Sequence, residues 1–303
     1  MECRIYNIEF RHCAGRCITN STLRSPNSKF PLPQWRSFRK LPNPMSPYIQ
    51  GALLVTFALL CSSTRSGARA PAFNAIVVAT RAEDHAAMIA AARPFLEHLG
   101  AEHNFAITFT QDVSQINDAV LARYQVIVQL QLAPFEVPPA QQGAFQRLIE
   151  RGGGWVGIHA AGLTGKQFLD AKTVYWKWFE DFFGGVVYSP HPAFQKATVV
   201  VEDRGHPAMK NLPATFEISD EWYEFDRSPR PNVRVLATVD EGTYRQTRPM
   251  GDHPIIWTNE KYGRMIYIGI GHAPADWADR NYGALVRDAI LWAGSGSPHV
   301  DVR

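Results

Sequence analysis

Residues 125–159 read QVIVQLQLAPFEVPPAQQGAFQRLIERGGGWVGIH. Gln125–Leu130 is a short apolar, β-branched run, the pattern of a strand buried on both faces. Pro138-Pro139 opens a helix in which Gln142, Phe145, Leu148 and Ile149 recur at helical spacing. Gly152 ends it, and three glycines lead into a second buried strand, Trp155-Val-Gly-Ile-His159. A strand, a helix and a strand at this spacing predict a crossover between parallel neighbours.

The same reading extends both ways. Phe73–Thr80 is a strand, a helix covers roughly His85–Leu99 with Gly100 as its stop, Phe105–Thr110 is a strand, and Ser114 caps a short helix running to Arg123. Beyond residue 160 the pattern changes. Val174–Phe183 is an aromatic helix, and Lys196–Glu202, Thr215–Ser219, Val233–Thr238, His253–Trp257 and Met265–Gly269 are strands with little helix between them. Tyr282–Ala293 is the last helix. Four β-then-α units predict an α/β fold with a doubly wound, mostly parallel sheet and a β-rich, antiparallel or mixed extension in the second half.

The composition divides the chain. Of 303 residues, the first 70 hold ten Lys and Arg against two Asp and Glu; the rest hold 21 against 26. The formal charge of +3 therefore comes from the leader and gives no argument for a nucleic-acid partner. Cys3, Cys13, Cys17 and Cys61 all precede residue 71, so the body has no disulfide framework, zinc ribbon, iron–sulfur site or cysteine nucleophile. Residues 1–44 lack periodicity and read as a disordered or upstream extension. Met45 begins a different pattern: the uncharged run Gly51–Leu60, then Ala68-Arg69-Ala70. That is an export signal over 45–70, too short for a membrane span. A lipoprotein anchored at Cys61 and an uncleaved anchor are the alternatives. The expectation is a periplasmic or secreted domain over 71–303, with no stable membrane insertion after cleavage.

In open α/β sheets ligands bind beyond the carboxyl ends of the strands. The residues placed there are Arg81 to His85, His159, Asp220-Glu221 and His272. Gly157-Ile-His-Ala-Ala161 has the form of a sharp strand-to-helix turn that exposes its middle residue, here His159 in place of Ser or Cys. Adjacent Asp220 and Glu221 point in different directions, so one can act as acid or base while the other orients a histidine or binds hydroxyls. Trp222 and Tyr223 offer faces for a sugar ring, Pro190-His191-Pro192 holds an imidazole in a rigid turn, and Gly271-His272 puts another at the sheet edge. The candidate catalytic residues are His159, Asp220, Glu221 and His272; the candidate substrate-binding residues are His85, Gly157, His191, Trp222 and Tyr223. No cofactor is certain. Histidines near carboxylates permit a divalent metal, with His159, His191, His272 and Glu221 as its candidate ligands. No dinucleotide-binding or P-loop motif occurs.

Taken together, Gly152–Ala161, Phe183-Gly-Gly185, His191-Pro192, His206-Pro207 with Leu212-Pro213, Asp220-Glu221 with Tyr223, Trp257, Gly263-Arg264, Gly271-His272 and Ile290-Leu-Trp-Ala293 resemble the trehalose-utilisation, or ThuA-like, family of the class I glutamine amidotransferase-like superfamily. The resemblance spans about 74–297. It implies a flavodoxin-like fold and a role in carbohydrate metabolism, with a sugar or oxidised sugar derivative as the small-molecule partner. It does not imply glutaminase activity, because His159 stands where the amidotransferases have cysteine. Two functions follow: a sugar or keto-sugar hydrolase, lyase or isomerase using His and carboxylate chemistry, or a noncatalytic carbohydrate-binding module. The enzyme requires at least three of His159, His191, Asp220, Glu221 and His272 around one pocket.

Overall fold

An apolar run without alternation has to be covered on both sides, and the first strand is. In Asn74–Ala79 (β1), Ala75, Val77 and Ala79 enter one core while Ile76 and Val78 enter another. The computed structural model describes residues 70–170 and 173–296. The expected extension 1–44, the four cysteines and the apolar run of the export signal lie outside the described residues.

After β1 come α1 (Ala86–Glu102), β2 (Ala106–Thr110), α2 (Asp118–Leu121), β3 (Val126–Leu130), α3 (Pro139–Glu150) and β4 (Gly154–Ile158). The second half holds α4 (Lys177–Phe183), β5 (Tyr188–Ser189), β6 (Gln195–Val201), β7 (Thr215–Asp220), β8 (Glu224–Phe225), β9 (Arg234–Val239), β10 (Pro254–Thr258), β11 (Met265–Ile268) and α5 (Arg280–Gly294). The main sheet has the order β2-β1-β3-β4-β11-β10-β9-β6-β7. The first five strands are parallel, in the flavodoxin-type order with β11 as the fifth. From β11 onward every pairing is antiparallel. The α/β fold with a β-rich second half is as expected.

Helices cover both faces. Met88, Leu96 and Leu99 of α1 and Leu285, Ala289 and Ile290 of α5 join one core; Phe145 and Leu148 of α3 and Phe179, Phe182 and Phe183 of α4 join the other. Gly154 lets α5 approach β4, since a Cβ there would lie 2.4 Å from the Ala293 carbonyl oxygen. Among the described residues no helix is long and apolar enough to cross a membrane.

Three local expectations are corrected. Gly100 does not stop α1, which runs on to Glu102 and turns at Asn104 in the left-handed region (φ 55°). Gly100 instead gives room to the Phe105 carbonyl, 2.9 Å from where a Cβ would sit. Ser114 caps no helix: Asp112 caps the turn Val113–Gln115, and Asn117 accepts from Val120 N–H to start α2. Asp and Asn on either side were the better capping signals. The aromatic helix begins at Lys177 rather than Val174.

Candidate active site

Three chain segments meet beyond the carboxyl ends of β4, β7 and β11. His159 follows β4 directly, fully buried and in the left-handed region (φ 49°). Two anchors hold it there: Tyr267 Oη donates to the His159 carbonyl at 2.9 Å, and Ala160 N–H donates to Gln131 Oε1 at 3.1 Å. Gln131, after β3, also has a positive φ (54°), and its Nε2 donates to the Gly271 carbonyl at 2.9 Å. The ends of β3, β4 and β11 are thus tied into one frame, and the left-handed turn aims the imidazole into the protein instead of along the strand.

Asp220 ends β7 and is fully buried. Glu221 N–H and Gly271 N–H each donate to it at 2.7 Å, and His272 N–H lies 3.4 Å away. In a flat sheet, four strand spacings of about 4.8 Å would hold β7 roughly 19 Å from β11. The Asp220 contact to Gly271, three residues past β11, therefore joins the loop after β11 to the edge strand across the antiparallel extension.

Glu221 turns the other way. Its Oε2 is 3.5 Å from His159 Nε2, 3.5 Å from His191 Nε2 and 3.3 Å from His272 Nδ1. Tyr223 lies against His159 (ring centroids 4.1 Å apart) and stacks on His191 at 5.3 Å. The side chains of Glu221, His191 and His272 are about a quarter exposed, so the cluster opens to solvent on that side.

Burial dominates the electrostatics. It lowers His159 to about 4, against the pull of Glu221, so this imidazole is neutral at pH 7. Burial also lowers His272, which faces His85 and His191 as well as Glu221. For Glu221 burial works against the charge, but the surrounding imidazoles, where they carry a proton, outweigh it and hold the carboxyl at about 2. Burial raises Asp220 well above the ordinary carboxylate range and Asp276 adds to that, while the three backbone donors pull it back.

The structure brings together His159, His191, Asp220, Glu221, Tyr223 and His272. His85 stands next to them, its ring edge-on to His272 at 5.4 Å and its Nδ1 3.0 Å from Asp84. Three expected substrate contacts are corrected. Tyr223 is 4% exposed with its ring against His159 and His191, so it packs within the cluster and offers no open face to a sugar. Trp222 is 1% exposed, and its indole N–H donates to the Gln195 carbonyl at 2.9 Å, so it is a core residue with no face for a sugar. Gly157 is buried beneath Trp155, whose ring would lie 2.0 Å from an added Cβ; it is a packing glycine. Sequence reasoning missed Gln131, Tyr188 and Phe194. Phe194 is 47% exposed, with its ring 6.2 Å from that of His272, and is the aromatic face the rim does present. It missed His253 too. This buried residue sits 3.1 Å from Glu241 Oε1 and 3.0 Å from the Tyr223 carbonyl, bracing the segment that carries Glu221.

Residues 74–293 match the sequence profile of a family described as trehalose utilisation, ThuA. A ThuA-like protein from Bacteroides uniformis is 34% identical, with a TM-score of 0.67 over 74% of this chain and 92% of that one. Another, from Parabacteroides merdae, is 18% identical, with a TM-score of 0.56 over 77% and 93%, a likeness of fold. No match was found among curated proteins.

Proposed function

This chain belongs to the ThuA, trehalose-utilisation family, and we propose that it is an exported enzyme of carbohydrate metabolism acting on a sugar or oxidised sugar derivative. The observation that carries the reading is the convergence of His159, His191 and His272 on one oxygen of Glu221, with Asp220 fixing the backbone behind it. A binding module needs hydrogen bonds spread over a platform. Here a carboxylate and three imidazoles are gathered at a single point, the arrangement that moves protons or polarises one substrate oxygen. His191 at the rim is the group placed to exchange a proton with bound substrate or solvent. The body has no cysteine, so the chemistry is not amide transfer through a thiol.

The test is turnover of trehalose and of oxidised disaccharides by the wild type and by Glu221→Gln, which keeps shape and removes charge. Loss of roughly 10²-fold or more in kcat is expected. Full activity of the variant rejects the assignment, and sugar binding without turnover by the wild type leaves a binding protein.

A further inference from the structure

The proton positions at the cluster follow from what the ring nitrogens face. His159 Nδ1 lies 3.1 Å from the Gly269 carbonyl oxygen, which only accepts, so Nδ1 carries the hydrogen. His159 Nε2 is then a bare lone pair. It is fully buried and has no hydrogen-bond partner among the described residues. It faces Glu221 Oε2, another acceptor, at 3.5 Å, too far for a hydrogen bond. His191 repeats the pattern: Nδ1 lies 2.7 Å from the Pro192 carbonyl, which turns Nε2 toward the same carboxylate oxygen. His272 Nδ1, 3.3 Å from that oxygen, is a second buried nitrogen without a hydrogen-bond partner. The buried lone pair of His159 Nε2, facing the Glu221 carboxylate beyond hydrogen-bond reach, is costly unless something positive sits between them.

We infer that His159 Nε2, Glu221 Oε2 and His272 Nδ1 form a site for one divalent transition-metal ion of zinc-like preference. The three ligand atoms lie within 4.8 Å of one another. A tetrahedral ion with bonds of about 2.0–2.1 Å spaces neighbouring ligands about 3.3–3.4 Å apart. The measured 3.3 and 3.5 Å to Glu221 fit that spacing. Two imidazoles and one carboxylate suit zinc and its neighbours better than magnesium or calcium, which take all-oxygen shells. The Gly269 carbonyl does for His159 what outer-shell acceptors do for metal-bound histidines: it fixes ring and tautomer. Three protein ligands leave coordination open on the side where Glu221 and His272 reach solvent, as in catalytic zinc sites. When bound, the ion would supply Lewis acidity toward a substrate oxygen or water. The inference rests on the reading of this cluster as the reacting centre.

The test is calorimetric titration of the chelator-treated full chain with Zn²⁺, alongside the absorption spectrum of the Co²⁺-loaded protein. One ion per chain is expected, with a visible band of tetrahedral intensity for cobalt. Removing an outer-shell partner typically weakens metal sites by about 10–100-fold, so His272→Ala and Glu221→Gln should each weaken binding by at least about tenfold. His98→Ala, on the exposed face of α1, should leave it unchanged. No heat and no cobalt band, or zinc binding that survives the His272→Ala, Glu221→Gln double variant, overturns the site. If metal binds as described but no sugar is turned over, the enzyme reading fails and the site stands. If the wild type turns over sugar without metal and Glu221→Gln does not, the site fails and the enzyme reading stands.

Discussion

Asp220→Asn is nearly isosteric and asks which species the fold was built around. Every hydrogen-bonding hydrogen aimed at this buried side chain belongs to a donor: Glu221 and Gly271 N–H at 2.7 Å, one on each oxygen, with His272 N–H at 3.4 Å. Such a cradle binds a carboxylate. An acid hydroxyl there would face Nδ1 of His159, 3.5 Å away and already engaged with Gly269. An amide satisfies one side and turns its NH₂ group against a backbone donor on the other. The cost is one charge-assisted bond plus one buried donor left unpaired, about 2–4 kcal/mol. For a domain of this size that corresponds to a fall in Tm of about 5–15 °C. Urea unfolding followed by circular dichroism, wild type against variant, measures it. Burial, with Asp276 adding to it, favours the neutral acid. If it prevails, the substitution changes stability by less than about 0.5 kcal/mol, and the account of Asp220 as an ionised clasp is wrong.

Two further substitutions probe the frame. Gly271 has φ 124°, and an added Cβ would lie 2.1 Å from Tyr282 Oη and 3.0 Å from Ile158; backbone strain and overpacking together should make Gly271→Ala cost about 3 kcal/mol or more in the same assay, and a cost under about 1 kcal/mol would show the turn to be adaptable. His206 is buried edge-on to Trp292, and burial, helped by Arg234 and opposed by Asp203 and Glu260, lowers it to about 4. Its folded value lies below the unfolded 6.5, so its contribution is complete above pH 6.5 and is lost as pH falls toward 4, by up to about 3 kcal/mol. His206→Asn, which keeps an acceptor for Ala208 N–H, should lose correspondingly less stability between pH 7 and pH 4.5; parallel curves for the two proteins would remove His206 from the acid response.

The sheet was legible because its strands are apolar runs with sharp ends. The β5–β8 pair was not, since two-residue strands carry no period. His159, Asp220, Glu221 and His272 were legible as polar residues just past strand ends, where this class of sheet has no apolar partner to offer. Trp222 was misread although the signal was present. Phe216, Ile218 and Asp220 are the buried positions of β7, and residue 222 continues that alternation into the core. The left-handed turn at Gln131 could not be read, because it is tied to the Gly271 carbonyl 140 residues away; at His159 the sharp turn was legible, but it buries the imidazole where the turn was expected to expose it.

The bond between Asp220, at the end of β7, and Gly271, past the end of β11, makes the candidate site a seam. Its two lips belong to opposite ends of the antiparallel extension, and Asp220 is the hasp between them. Whatever spans Glu221 on one lip and His272 on the other is fastened by the same closure and, by mutual linkage, fastens it in return. The terminal strand of the sheet, elsewhere the first to fray, is thereby pinned at its end, and a ligand held across the seam would add to that pinning.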